Sequence, residues 1–167
     1  DKLHETEIEY NILYNEYMRL RIKMKKNRKN PIIDIGWREW ISLVDINDFN
    51  LKAKIDTGAT ISALHATHIK EFHRNNEKYV RFRIHQSKSY KIIKKPVLGY
   101  KTIKNSFGKK QSRPLISISI KMGNNIIDTL ITLAKRSNMT YPVLIGRSSL
   151  KNNYRINPRK SYLTGEI

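Results

Sequence analysis

The residues best placed to do chemistry lie in Ala53-Lys54-Ile55-Asp56-Thr57-Gly58-Ala59-Thr60. A strand-like run ends on a carboxylate, and a turn follows at once. The Thr57 hydroxyl suits such a turn as a hydrogen-bonding group. Gly58 permits close backbone approach, and Ala59 keeps the space beside it open. A carboxylate presented in this way is a candidate general acid or base. Competing centres are weaker. The chain has no cysteine, which excludes disulfides, thiolate nucleophiles and cysteine-bound zinc. His65 and His68 form a His-x-x-His pair, which shares a face on a helix and splits between faces on a strand. No His-Glu-x-x-His motif and no third ligand accompanies them, so the expectation is no metal. No phosphate-binding Gly-x-x-x-x-Gly-Lys-Ser/Thr loop occurs, and no cofactor is expected. Ser148 and Ser149 have no evident base beside them, and His73 and His85 read as surface residues.

The elements that must position Asp56 are short strands. From Gly36 onward apolar residues recur with period two. The pattern predicts strands over 37–44, 51–55, 62–65, 79–85, 90–93, 97–103, 115–122, 126–134 and 141–145. Shorter terminal strands are expected over 154–156 and 161–163, after a short helix within 146–151. Gly123-Asn124-Asn125 marks a tight hairpin, and Asn105-Ser106-Phe107-Gly108 reads as another hairpin tip. Many short strands with turns between them indicate a closed or nearly closed β fold. Residues 1–26 instead carry Ile8, Ile12, Tyr17, Leu20 and Met24 at helical spacing, with acids early and bases late. We therefore divide the chain into an N-terminal helix and basic linker over 1–30 and a β domain over 31–167.

A second motif stands some ninety residues after the first: Tyr141-Pro142-Val143-Leu144-Ile145-Gly146-Arg147. With Gly36-Trp37-Arg38-Glu39-Trp40, Ser62-Ala63-Leu64-His65-Ala66 and Arg113-Pro114, these segments resemble the retropepsin-like aspartic peptidases. The pattern is most similar to a bacterial-type branch often labelled ATP-dependent zinc proteases. The resemblance covers residues 36 to about 163 and implies a small closed acid-protease β-barrel with Asp56 catalytic. It implies that Thr57, Gly58 and Ala59 complete the active-site turn. Leu144, Ile145, Gly146 and Arg147 would support that turn from below, and Asn105, Ser106, Phe107 and Gly108 would form a substrate flap. Two carboxyl groups within hydrogen-bond reach share one proton and titrate as a unit. One chain brings a single Asp-Thr-Gly, so this chemistry requires a second copy across a two-fold axis. Three positions depart from the pattern. Thr60 stands where retroviral members carry an acid, which leaves Arg147 without that partner; Thr60-Ile61 stands where the bacterial branch commonly has Arg-Thr; and Ser148 stands where Asn is frequent.

Charge sets the expected partners. Thirty-three Lys/Arg face fourteen Asp/Glu, a net of +19. Residues 70–113 carry a balance of +12, and residues 129–165 hold no acid. Lys88, Lys91, Lys94, Lys95, Lys101, Lys104, Lys109 and Lys110 are the candidate basic surface. Such charge steers anionic partners. The branch's association with ribosome-modifying glutamate ligases implies acidic, Glu-rich peptides as substrate for an aspartic endopeptidase. The alternative is a catalytically silent barrel binding RNA in a ribosome-like assembly, with Tyr79, Phe82, Tyr90 and Tyr100 as stacking residues. No apolar run approaches the roughly 20 residues needed to span a bilayer. No signal-peptide pattern opens the sequence, so a soluble protein of cytoplasm or organellar matrix is expected.

Overall fold

A computed structural model describes residues 31–104, 107–135, 140–151 and 154–165. The helix and linker expected over 1–30 lie outside the described residues. Twelve strands are described: β1 (Ile33–Gly36), β2 (Arg38–Leu43), β3 (Phe49–Ile55), β4 (Ser62–His65), β5 (Thr67–Arg74), β6 (Glu77–Gln86), β7 (Ser89–Pro96), β8 (Gly99–Lys104), β9 (Lys110–Met122), β10 (Asn125–Ala134), β11 (Val143–Ile145) and β12 (Tyr154–Asn157). One helical turn, Arg147–Leu150, follows β11. Among the described residues no helix is long and apolar enough to cross a membrane.

Six strands close on themselves in the order β10-β4-β11-β3-β2-β9, and β9 returns to β10 through the ladder that begins Asn125↔Met122. Closure leaves no unpaired edge within the ring. Alternation explains how the wall forms. In β3, Phe49, Leu51, Ala53 and Ile55 turn inward while Lys52 and Lys54 stay in solvent. Ile116, Ile118 and Ile120 of β9 and Ile131 and Leu133 of β10 are likewise buried and fill the same core. Gly123 turns the β9–β10 hairpin with φ +61, a conformation that a two-residue loop with glycine first demands. The closed, mainly β architecture expected from the sequence is therefore present.

Three elements lie outside this ring. β8 pairs along the first part of β9, so the two strands project as a hairpin arm. β1 and β12 form a separate parallel pair. β5, β6 and β7 form a three-stranded antiparallel sheet, whose first turn uses Asn75 and Asn76 at φ 49 and 61. Val80, Phe82 and Ile84 of β6 are fully buried in the same apolar cluster as the barrel.

The structure corrects several element assignments. β1 and β5 are strands that the pattern reading did not assign. β5 is mostly exposed on both sides, and a bulge at His68 (φ 50) interrupts its alternation. Residues 161–163 are not a strand. Tyr162 adopts φ 54, and the backbone N–H groups of Leu163 and Thr164 donate to the Glu39 carboxylate rather than to a neighbouring strand.

That carboxylate organises the Gly36–Trp40 motif. Glu39 is fully buried. It accepts hydrogen bonds from Gly36 N (2.6 Å), Leu163 N (2.9 Å), Thr164 N (3.3 Å) and Thr164 Oγ1 (2.9 Å). Gly36 lies so close to the late segment that a Cβ there would sit 2.3 Å from the Lys160 carbonyl oxygen. The Arg38 guanidinium stacks over the Trp37 and Tyr162 rings and donates to Ser161 Oγ and Tyr141 Oη. The motif is thus a seat for the last described turn of the chain.

Candidate active site

β3 carries the chain into Asp56, and β11 fixes where it arrives. β11 runs parallel to β3, with Ile145 opposite Ile55, and antiparallel to β4. The Asp56 N–H donates to the Ile145 carbonyl at 2.9 Å, so Asp56 leaves the barrel wall at a fixed point. The chain then reverses: Gly58 N donates to Asp56 Oδ1 at 3.1 Å, and Ala59 N donates to the Asp56 carbonyl at 3.2 Å. Such a side-chain-to-backbone bond two residues on is the usual way an Asp stabilises its own turn. Among the described residues this is the only hydrogen bond the Asp56 carboxylate makes. Oδ2 has no hydrogen bond among the described residues. Asp56 is partly exposed, and Thr57 and Gly58 are exposed.

The segment after β11 locks the turn from beneath. Arg147 N donates to the Ala59 carbonyl at 2.9 Å, and Ser148 N to the Thr60 carbonyl at 3.0 Å. Gly146 passes directly under Ile61, where a Cβ would lie 2.7 Å from the Ile61 carbonyl carbon. Only glycine fits at that approach. Ile145 is buried and Leu144 half-buried below the turn. Arg147 does not need the acid missing at position 60. Its guanidinium donates to the Thr57 carbonyl at 2.7 Å and to Thr60 Oγ1 at 3.1 Å, so a neutral hydroxyl and a carbonyl take the acid's place. This fork matches the planar geometry of an arginine and not that of a lysine.

A buried hydroxyl cluster under the turn was not singled out by sequence. Ser62 Oγ accepts the Gly146 N–H at 3.0 Å and lies 2.6 Å from Ser149 Oγ, which lies 2.6 Å from Thr129 Oγ1. Ser149 is therefore a packing group with hydroxyl partners. The spacing of 87 residues between Ser62 and Ser149 gives no local signal for their contact.

The remaining candidates are scattered. Of the flap residues, Asn105 and Ser106 lie outside the described residues. Phe107 is 93% exposed near the end of the β8–β9 arm, and Gly108 turns there with φ +79. Among the candidate lysines, Lys91 and Lys95 face inward: Lys91 Nζ donates to the Ile46 carbonyl and lies over the Phe49 ring, and Lys95 pairs with Asp45 at 3.0 Å. Lys94 points outward between them. Lys88 lies in the β6–β7 turn, Lys101 and Lys104 on β8, Lys110 on β9, and Lys109 just before it. Phe82 is fully buried. His65 ends β4, while His68 sits in the β5 bulge and contacts Thr67 Oγ1, which also bonds His85 Nε2 at 2.6 Å. Among the described residues no group of three or more His, Asp or Glu could hold a metal ion.

Residues 34–166 match a family model described as the retropepsin-like aspartic endopeptidase RimB. The chain belongs to this RimB-like family. The Asp-Thr-Gly turn, the β11–Gly146 support and the closed six-stranded ring are therefore those of a retropepsin-like domain. Curated relatives include a probable alpha-L-glutamate ligase of Shewanella pealeana, 34% identical over 79% of this chain and 30% of its own length. A second, from Desulfotalea psychrophila and of the same description, is 31% identical over 80% and 30%. The chain thus spans about 30% of the length of these relatives. A solved structure of a Legionella pneumophila protein of unknown function superposes with a TM-score of 0.68. It is 26% identical and is covered over 78% of this chain and 97% of that one.

Proposed function

We propose that this RimB-like domain is an aspartic endopeptidase that acts as a homodimer on acidic, Glu-rich peptide segments. The observation that carries the reading is the Asp56 carboxylate. One of its oxygens is engaged by its own turn and the other has no hydrogen bond among the described residues, on a loop held by β11 and Arg147. Peptide hydrolysis by carboxylates needs a second such group. The exposed Thr57 and Gly58 leave the turn accessible to an identical turn from another copy.

In the paired site the ionised carboxylate takes a proton from a water molecule while that water's oxygen bonds to the scissile carbonyl carbon. The protonated carboxyl gives its proton to the carbonyl oxygen. The tetrahedral diol then collapses, the C–N bond breaks, and a proton passes to the leaving nitrogen. One water is consumed and the dyad returns to its shared-proton state. The solvent-exposed Phe107 supplies an apolar cover at the hairpin arm's end.

Two observations support an acidic substrate. Residues 70–113 carry a balance of +12, which raises the local concentration of anionic peptides. The relatives that share this region bear the name of a glutamate ligase, so glutamate-bearing chains are the substrate class of choice. The test is cleavage of a Glu-rich peptide and a Gln-rich control, read by product mass, alongside sedimentation of the enzyme. Glu-selective cleavage by a dimer, lost in Asp56→Asn, is expected. Cleavage that survives Asp56→Asn, or that belongs to a monomer, overturns the reading.

A further inference from the structure

The β5–β7 sheet has two unlike faces. Val80, Phe82 and Ile84 face the core, so the residues alternating with them on β6 turn outward. The register then writes out that outer face row by row. Phe72 lies opposite Tyr79, with their rings stacked at 5.7 Å. The next row is Lys70, Arg81 and Lys94, directly across three strands. Beyond it the Arg83 guanidinium lies 4.5 Å from the centre of the Tyr90 ring, and Tyr90 is 49% exposed.

Like charges directly opposite one another across strands repel. The inner face avoids this, because Lys95 pairs with Asp45 and Lys78 with Glu71. The outer row has no such relief: Lys70, Arg81 and Lys94 form no ion pair among the described residues. The acid of this face, Glu77, sits at the hairpin end opposite Arg74. The positive potential is felt locally. The Arg83 charge, with burial next, holds His68 below its ordinary value.

We propose that this outer face binds single-stranded nucleic acid, with Lys70, Arg81 and Lys94 on phosphates and the Tyr90 and Phe72–Tyr79 rings as stacking platforms. Cations alone would suit any polyanion. The rings decide between them, Tyr90 exposed and Phe72 and Tyr79 half-buried, because the face of an aromatic ring is negative and offers a carboxylate nothing, whereas every base stacks on it. An open sheet also has no projecting element to enter a duplex groove, so unpaired bases are the fitting target. The surface is separate from Asp56 and stands or falls apart from the peptidase reading.

Fluorescence anisotropy of the full chain with labelled oligo-U and oligo-dT, between about 50 and 200 mM salt, tests this. The Lys70→Gln/Arg81→Gln/Lys94→Gln variant is compared with Lys101→Gln/Lys104→Gln/Lys110→Gln, which removes the same charge from the hairpin arm. The sheet variant is expected to lower the log–log salt slope by about 2, with a much smaller change in the arm variant. Tyr90→Ala is expected to weaken binding by about five- to a hundredfold and to leave the slope unchanged. Asp56→Asn binds as the parent does. Preference for U or dT tells RNA from DNA, and tight binding of either supports the proposal. Equal weakening by both charge variants overturns it, as does a poly-Glu peptide that binds this face more tightly than the oligonucleotides. Among the sheet and arm substitutions Arg81 is half-buried and the other side chains are exposed, and an unchanged melting curve confirms the fold.

Discussion

Two carboxylates mark the two ends of this molecule's logic. Glu39 is fully buried and accepts four hydrogen bonds, three from backbone N–H groups and one from a threonine hydroxyl. Asp56 is partly exposed and accepts one. The chemical group is the same in both, and the difference is saturation. Every donor on Glu39 is a contact that fixes chain geometry, and its oxygens have no capacity left for a reaction. Among the described residues Asp56 keeps one oxygen without a hydrogen bond, while its backbone N–H and carbonyl are both engaged. Rigid backbone with an unsatisfied side chain is the arrangement that positions a group for acid–base work.

The comparison breaks most directly on isosteric substitution. Asp56→Asn keeps the turn's size and is expected to lower peptidase activity by about 10²–10⁴-fold, with a melting temperature close to the parent's. Glu39→Gln is expected to do the reverse. Losing the charge weakens four hydrogen bonds in a dry site, at a cost of about 2–4 kcal/mol in urea unfolding, while activity per folded molecule holds. If Glu39→Gln unfolds like the parent and loses activity instead, the division between the two carboxylates is wrong.

Arg147→Lys sharpens the comparison. A single ammonium cannot span Thr57 and Thr60 as the guanidinium does, so the turn loosens and the rate falls by about tenfold. Circular dichroism should not change. The smallest effect concerns Tyr154. Burial pushes its hydroxyl up from 10.0 to about 12. The neutral phenol is thus favoured by folding. That stability is fully present below pH 10 and is lost as pH rises toward about 12. Tyr154→Phe should lose less stability over this window in pH-dependent urea titrations.

Much of this architecture was legible because alternation and turn chemistry agree. The Ser62–His65 strand, the β9–β10 hairpin and the short helix after Gly146 all fall where the pattern puts them. The candidate turn was legible where its partner is local in sequence, since Asp56 bonds to Gly58 two residues on, whereas the need for glycine at 146 comes from distant Ile61. What stayed hidden depends on contacts between distant segments. Nothing near Arg147 says that it reaches Thr57 and Thr60, 90 and 87 residues away. Nothing in Gly36–Trp40 announces that Glu39 clamps Leu163 and Thr164. The basic segment misled in detail, because a run of lysines on a strand alternates between faces. Lys91 and Lys95 therefore turn to the barrel while Lys94 turns away. The row that Lys94 shares with Lys70 and Arg81 exists only once three strands are in register.

The central claim, one catalytic proton held between two copies of Asp56, is tested by mixing intact chains with Asp56→Asn chains at constant total concentration and measuring cleavage of a Glu-rich peptide. Rate should fall as the square of the intact fraction, since only pairs with two carboxyls work. A linear fall, or no fall, contradicts it.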